Sequence, residues 1–209
     1  MELERQKILI DIDDTFLKSS EEIIRQLNQK NGTSKTINDL IDYGYRSIDD
    51  NITQKDIEEM YASQEFFENV AFNDGAIEFI IKYSKIFDIV FVSYGTNENL
   101  FRKTMMLNDF VLNHRLNGMF FASFETGKAN KSEILLDNVY LAIDNHCGHL
   151  KELNAPKKIL LKNFREVDWN KTPINDENTY TANSFDDIDQ MIEFDLQLKN
   201  MGIILDDNK

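Results

Sequence analysis

Lys7-Ile8-Leu9-Ile10-Asp11-Ile12-Asp13-Asp14-Thr15 is the stretch that decides the fold. An apolar run, β-branched at Ile8 and Ile10, stops in three carboxylates within four positions. The run is short, lies near the start of the sequence and has no helical spacing, so it predicts a strand buried on both faces. Carboxylates at the end of such a strand are costly to bury unless something pairs them. On an extended backbone Asp11 and Asp13 share one side. Two acids so placed, with a main-chain carbonyl nearby, make a site for a hard divalent cation such as Mg²⁺.

Two other readings compete for the same residues. Acids after a strand often only cap a helix or solvate a turn, and a lone Asp-x-Asp is a weak signal. An EF-hand loop would use Asp11, Asp13, Thr15 and Glu22 as ligands. Phe16, however, stands where that loop needs glycine, and a strand rather than a helix leads into it.

The chain has 209 residues, of which 42% are hydrophobic, enough for one sizeable domain with an insertion. Its net charge of −14 argues against a nucleic-acid polymer or an anionic membrane as partner, since no basic stripe is present. An anionic substrate would need a cation and a few local Lys or Arg to reverse the field. Cys147 is the one cysteine, which rules out an internal disulfide and suits a reducing cytoplasm. No signal peptide is visible, and no apolar run has the length of a membrane span.

Further along, Ser19 is expected to cap a helix with Ile23, Ile24 and Leu27 on its apolar face, ending at Asn31-Gly32. Thr53 is expected to cap a second helix, through Tyr61. Residues 16–70 read as a small helical cap, a lid over the strand end, and residues 1–15 with 71–209 as the core domain. Asp74 is expected to cap an amphipathic helix, and Asn97 another. Apolar strands are predicted at Asp88–Thr96, Met119–Phe124, Tyr140–Asn145 and 158–162. Residues 163–183 read as a polar loop, and Ser184 as the cap of a final helix with Gly202 at its end. Strands alternating with helices predict a mostly parallel sheet covered on both faces, with ligands at the carboxyl ends of its strands. Three of those ends carry chemistry: Asp11 to Thr15, Ser93 to Thr96, and Asp144-Asn145.

With these strand ends in view, the chain resembles the haloacid dehalogenase superfamily of phosphatases over residues 6–162. Asp11-Ile12-Asp13-Asp14-Thr15 matches that family's first motif, Ser93 its second, and Lys131 its third, with Lys128 as competitor. Asp144-Asn145 matches the fourth in part. The resemblance implies a three-layer, Rossmann-like α/β fold and a Mg²⁺-dependent phosphomonoesterase. Asp11 would be the nucleophile, Asp13 the acid and base, Ser93 a phosphoryl donor, and Lys131 a charge stabiliser. Asp11, Asp13 and Asp144 or Asn145 would hold the metal, and substrate contacts would come from Thr15, Phe16, Tyr94 and Gly95.

The small cap, Glu65-Phe66-Phe67-Glu68-Asn69, Tyr140–Asn145 and Trp169 resemble the 5′(3′)-deoxyribonucleotidase branch. That implies a small phosphorylated substrate, a nucleoside monophosphate, and a monomer or homodimer. The second acid of motif four is replaced by Asn145, so the metal site loses a charge if that position is the ligand. A sugar-phosphate phosphatase, and a degenerate relative that binds without turnover, stay open. Phe16, Tyr43, Tyr45, Phe66 and Phe67 read either as cap core or as a wall for a base. His146, Cys147 and His149 fit no four-ligand zinc spacing. Thr126-Gly127-Lys128 lacks the first glycine and the hydroxyl of a phosphate-binding loop.

Overall fold

The computed structural model describes residues 4–116, 118–127, 131–133, 136–164, 166–171 and 177–201. One parallel sheet is built from β1 (Lys7–Asp11), β2 (Asp88–Gly95), β3 (Met119–Glu125), β4 (Val139–Asp144), β5 (Lys158–Leu161) and β6 (Thr179–Ala182). Their order is β3-β2-β1-β4-β5-β6. β1 thus lies inside the sheet, with the chain stepping first to one side of it and then to the other. The crevice beyond the carboxyl ends of β1 and β4 is the switch point where such sheets place ligands.

The side chains of β1 alternate as a strand requires. Ile8, Ile10 and, just beyond, Ile12 join one apolar cluster with Ile89, Phe91, Leu141 and Ile143. α4 (Ala76–Tyr83), α5 (Asn97–His114) and α7 (Phe185–Asn200) cover that face through Phe79, Phe110 and Ile188. Leu9 joins Val90, Val92, Ala142 and Leu160 on the opposite face, beneath Leu150 of α6 (Cys147–Glu152). The result is the three-layer α/β arrangement that the alternating pattern predicts.

α1 (Ser19–Asn31), α2 (Gln54–Tyr61) and α3 (Gln64–Asn69) lie in the segment between β1 and α4. They carry an apolar cluster of their own that includes Ile23, Ile24, Leu27, Ile57 and Phe66. Val167 and Trp169, from far along the chain, complete it.

Several boundaries differ from the sequence reading, each for a local reason. Lys18 rather than Ser19 is the N-cap of α1, because the Ser19 hydroxyl is engaged with Asp13 Oδ1 at 2.9 Å. Gly75 rather than Asp74 precedes α4, and Asp74 pairs instead with Lys18 at 2.9 Å. Thr96 rather than Asn97 caps α5, its hydroxyl accepting from Asn99 N. Thr53 and Ser184 do cap α2 and α7. The 163–183 stretch is not all loop: Thr179–Ala182 adds an edge strand paired with β5. Gly202 lies outside the described residues.

Candidate active site

The parallel register sets the floor of the site. Asp11 lies level with Val92 of β2, and Ile10 level with Ile143 of β4. Ser93 and Asp144, each one residue further on, therefore flank Asp11. Lys131 enters from a short 3₁₀ turn, Lys131–Glu133. Its Nζ donates to Asp11 Oδ1 and to Asp144 Oδ2, both at 2.6 Å. Lys131 and Asp144 are wholly buried, and Asp11 is 7% exposed.

Burial raises the Asp11 carboxyl to about 6, helped by Asp144 and opposed by Lys131. Burial also raises Asp144, with Lys131 opposing. Burial alone would lower the Lys131 ammonium, but the two carboxylates outweigh it and hold the group above its ordinary range. Two acids thus share one ammonium, an arrangement short of positive charge.

Asp13 lies just past the strand end. Its Oδ1 accepts from Ser19, and its Oδ2 accepts from Lys103 Nζ at 2.5 Å. Lys103 is wholly buried and also donates to Ser93 Oγ at 2.7 Å and to the Tyr94 carbonyl at 3.3 Å. Sequence reasoning missed this residue. A signal was present: Lys103 falls on the stripe of α5 formed by Leu100, Leu107 and Phe110, all buried.

The two candidates of motif four have different surroundings. Asp144 Oδ2 is held by Lys131, and its Oδ1 accepts from His146 N at 2.8 Å. Asn145 lines the cavity beside Asp11 and Asp13. Its side-chain oxygen accepts only a long bond, 3.3 Å, from Thr15 Oγ1, which in turn accepts from Asn145 N at 3.0 Å.

Among the described residues no group of three or more His, Cys, Asp or Glu side chains is arranged to hold a metal. The oxygens at the cavity floor suit a hard cation nonetheless. The Asp11 carboxylate, the Asp13 main-chain carbonyl and the Asn145 amide are oxygen donors, and the uncompensated acid calls for positive charge. A Mg²⁺ held by so few protein ligands keeps several waters.

Two expected substrate contacts need correction. Phe16 N donates to the Ile12 carbonyl at 3.0 Å, closing a tight turn that sends the ring back into the core. There it meets Phe72, Phe91 and Phe110 at centroid distances of 5.0, 4.7 and 5.4 Å, with no exposed surface. Thr15 is likewise fully buried and braces Asn145 rather than facing a ligand. Lys128 lies outside the described residues, and Lys131 reaches Asp11 at the floor.

Above the floor opens a cavity of about 510 Å³. Tyr43, Tyr45, Tyr61, Tyr94 and Trp169 supply aromatic walls, and Gly95 lines it beside Thr96. A Cβ at Gly95 would collide with the Asn99 side chain. Asn99 Nδ2 donates to the Tyr61 carbonyl at 2.6 Å and so joins α5 to α2.

Tyr43 is 65% exposed and sets its ring edge-on to His146 and to Trp169, both at 5.6 Å. Phe66 is buried with the cap helices, next to Phe67. His146 and His149 stack at 4.1 Å, and burial lowers His149 to about 4. Tyr94 accepts from Lys131 N and donates to Glu152 Oε2 at 3.2 Å, locking the 3₁₀ turn in place.

Asp14 also reaches the cavity, in a left-handed conformation with φ of 54°. Ser20 N donates to it at 2.7 Å, and the Ser20 hydroxyl continues to Tyr45 and then Tyr61 at 2.7 and 2.8 Å. Burial raises Asp14 to about 7 despite the Ser20 bonds.

No protein-family model and no curated protein matches the sequence. Solved structures do. A haloacid dehalogenase-like hydrolase from Streptococcus pneumoniae superposes with a TM-score of 0.59 at 12% identity, covering 91% of this chain and 98% of that one. A haloacid dehalogenase-like hydrolase from Xanthomonas campestris gives 0.53 at 13% identity, covering 94% and 99%. The HAD-hydrolase YfnB from Bacillus subtilis, bound to magnesium, gives 0.51 at 14% identity, covering 91% and 99%. At such identities the likeness speaks for architecture: this chain has the HAD-like, Rossmann-type α/β fold.

Proposed function

We propose that this chain hydrolyses phosphomonoesters by passing the phosphoryl group through Asp11, with a nucleoside monophosphate as favoured substrate. The observation that carries the reading is Asp11 at the cavity floor, held by the Lys131 ammonium at 2.6 Å and next to Asp13.

In the first step an Asp11 carboxylate oxygen attacks phosphorus, and the bond to the leaving oxygen breaks. The leaving oxygen takes a proton from the Asp13 carboxyl. In the second step Asp13 accepts a proton from water, which attacks the same phosphorus and frees Asp11 and inorganic phosphate. Lys131 offsets the charge of Asp11 against that of the phosphoryl group. Mg²⁺ bound by Asp11, the Asp13 carbonyl and Asn145 would neutralise phosphoryl oxygens. Main-chain N–H groups near Asp13 and Tyr94, with the Ser93 hydroxyl, are the donors for the remaining oxygens.

Support for a nucleotide comes from the ring wall. Tyr43, His146 and Trp169 offer aromatic faces and edges of the kind that hold a base. None of the described lining residues is Lys or Arg, so a second phosphate meets no counter-charge there. Sugar phosphates are the second reading, favoured by Glu58 and Glu152 on the wall, which accept hydrogen bonds from hydroxyls. The neutral Asn145 favours the alternative without turnover.

Phosphate release from p-nitrophenyl phosphate with Mg²⁺ is expected, with loss on chelation and a roughly 10⁴-fold or greater loss in Asp11→Asn. Intact protein that releases no phosphate sinks the enzyme reading. A panel of deoxyribonucleoside monophosphates and hexose phosphates then ranks the substrates.

A further inference from the structure

Among the described residues, Lys103 is the one ammonium in the site that neither the motif pattern nor the proposed steps use. It sits on α5, an element that supplies none of the expected catalytic groups, yet it is 0% exposed. A lysine is seldom buried without a partner worth its desolvation. Here the partners are Asp13 Oδ2 at 2.5 Å, Ser93 Oγ at 2.7 Å and the Tyr94 carbonyl at 3.3 Å. All three donor positions of the ammonium are thereby spent on the ends of β1 and β2.

Each contact has a consequence. Asp13 stands beyond the last pairing of β1 and is 28% exposed, so its strand alone does not fix its side chain. The bonds from Lys103 and Ser19 occupy one oxygen each and fix the carboxyl plane. Ser93 accepts from Lys103, so its own proton is free to point elsewhere; in this structure it goes to the Tyr94 carbonyl at 3.1 Å. A single ammonium thus holds the acid–base carboxyl and the hydroxyl donor at a set separation. Lys131 serves Asp11 and Asp144 in the same manner, from the opposite side of the floor.

We infer that Lys103 is a positioning residue for phosphoryl transfer: it aligns Asp13 with the leaving oxygen and supports the carboxylate that remains when the proton has gone. The inference rests on the aspartyl-phosphate reading. In the step concerned, the Asp11–phosphorus bond forms as the phosphorus–leaving-oxygen bond breaks. The electron pair goes to that oxygen, the proton moves to it from Asp13, and Lys103 keeps all its protons. A leaving group that departs readily without protonation has little use for this help, whereas an alkoxide depends on it.

The test is leaving-group dependence in the full-length protein with Mg²⁺. Lys103→Met is expected to slow hydrolysis of an alkyl phosphate roughly 100-fold and of 2,4-dinitrophenyl phosphate only a few-fold. Lys103→Arg, which keeps a cationic donor, should recover part of the alkyl rate. In an Asp13→Asn background, Lys103→Met should add little further loss for either substrate, because the two residues act as a unit.

Equal loss for both substrates in folded Lys103→Met, or full additivity with Asp13→Asn, overturns the inference while leaving the phosphatase reading intact. If Lys103→Met does not fold, Lys103→Arg decides: unequal loss supports the inference and equal loss overturns it. Wild-type protein inert to both substrates overturns the two readings together.

Discussion

The floor of the cavity and its roof are built by opposite means. The floor is made of buried charges matched one against another: Lys131 with Asp11 and Asp144, and Lys103 with Asp13. Its carboxylates and the Ser93 hydroxyl are short side chains at or just past the ends of β1, β2 and β4, so the sheet register sets their spacing. The roof, in α1, α2 and the loops around Tyr43 and Trp169, presents rings, hydroxyls and scattered carboxylates. Its apolar cluster reaches the cavity through Leu40, Tyr45, Ile57 and Trp169. On the proposed reading, the contrast puts chemistry at the strand ends and selection in the segment between β1 and α4, so damage to each should be felt in different measurements.

The largest effect is expected at the floor. Lys131→Met strands two buried carboxylates, which costs about 3–5 kcal/mol of stability. Thermal unfolding in chelator should show a marked drop in Tm that Mg²⁺ reduces. An unchanged Tm would mean that the two carboxylates do not depend on Lys131 for their charge balance.

Asp14 sits where floor and roof meet, and its effect depends on pH. Its carboxyl lies near 7 when folded and at 3.8 ordinarily, so the folded chain holds that proton more tightly. Stability from this group is greatest below about pH 4, declines as pH rises, and is fully lost above about pH 7. Asp14→Asn, which tolerates the left-handed backbone, should therefore stabilise the metal-free protein at pH 8, by at most about 4 kcal/mol, and hardly at pH 4. Denaturant melts at the two pH values check the sign.

Asn145→Asp restores a charge at the cavity. Mg²⁺ affinity by titration calorimetry should rise roughly tenfold, while the metal-free protein loses stability through added repulsion with Asp11 and Asp144. An unchanged Mg²⁺ affinity would return the metal-facing role to Asp144.

The smallest effect belongs to the roof. Tyr43→Ala should raise KM for a nucleoside monophosphate several-fold, about 1 kcal/mol, with kcat and Tm nearly unchanged. A fall in kcat instead would blur the division between the two layers.

Most of the floor was readable in the chain, because an apolar run that ends in acids has few physical outlets. Ile8 to Asp13 announces both a buried strand and a polar terminus, and Ser93 and Asp144 repeat the pattern. β6 was not readable. Thr179-Tyr180-Thr181-Ala182 is short and mostly polar, and its exposed Tyr180 and Thr181 belong to an edge that needs no apolar run. Lys103 was passed over because lysines on helices usually face water, and only its place on the α5 stripe argued otherwise. Phe16 was assigned outward because sequence does not show the turn at Ile12 that swings it inward. Helix starts slipped by a residue wherever a nearer partner claimed the expected capping side chain, as Asp13 did with Ser19.

The bond from Asn99 Nδ2 to the Tyr61 carbonyl behaves as a latch between the inserted helices and the sheet domain. A hinge motion that parted α2 from α5 would have to release that latch first. On the proposed reading, opening rather than bond making can then set the pace of turnover. Gly95, by leaving space for the Asn99 side chain, is what allows the latch to form.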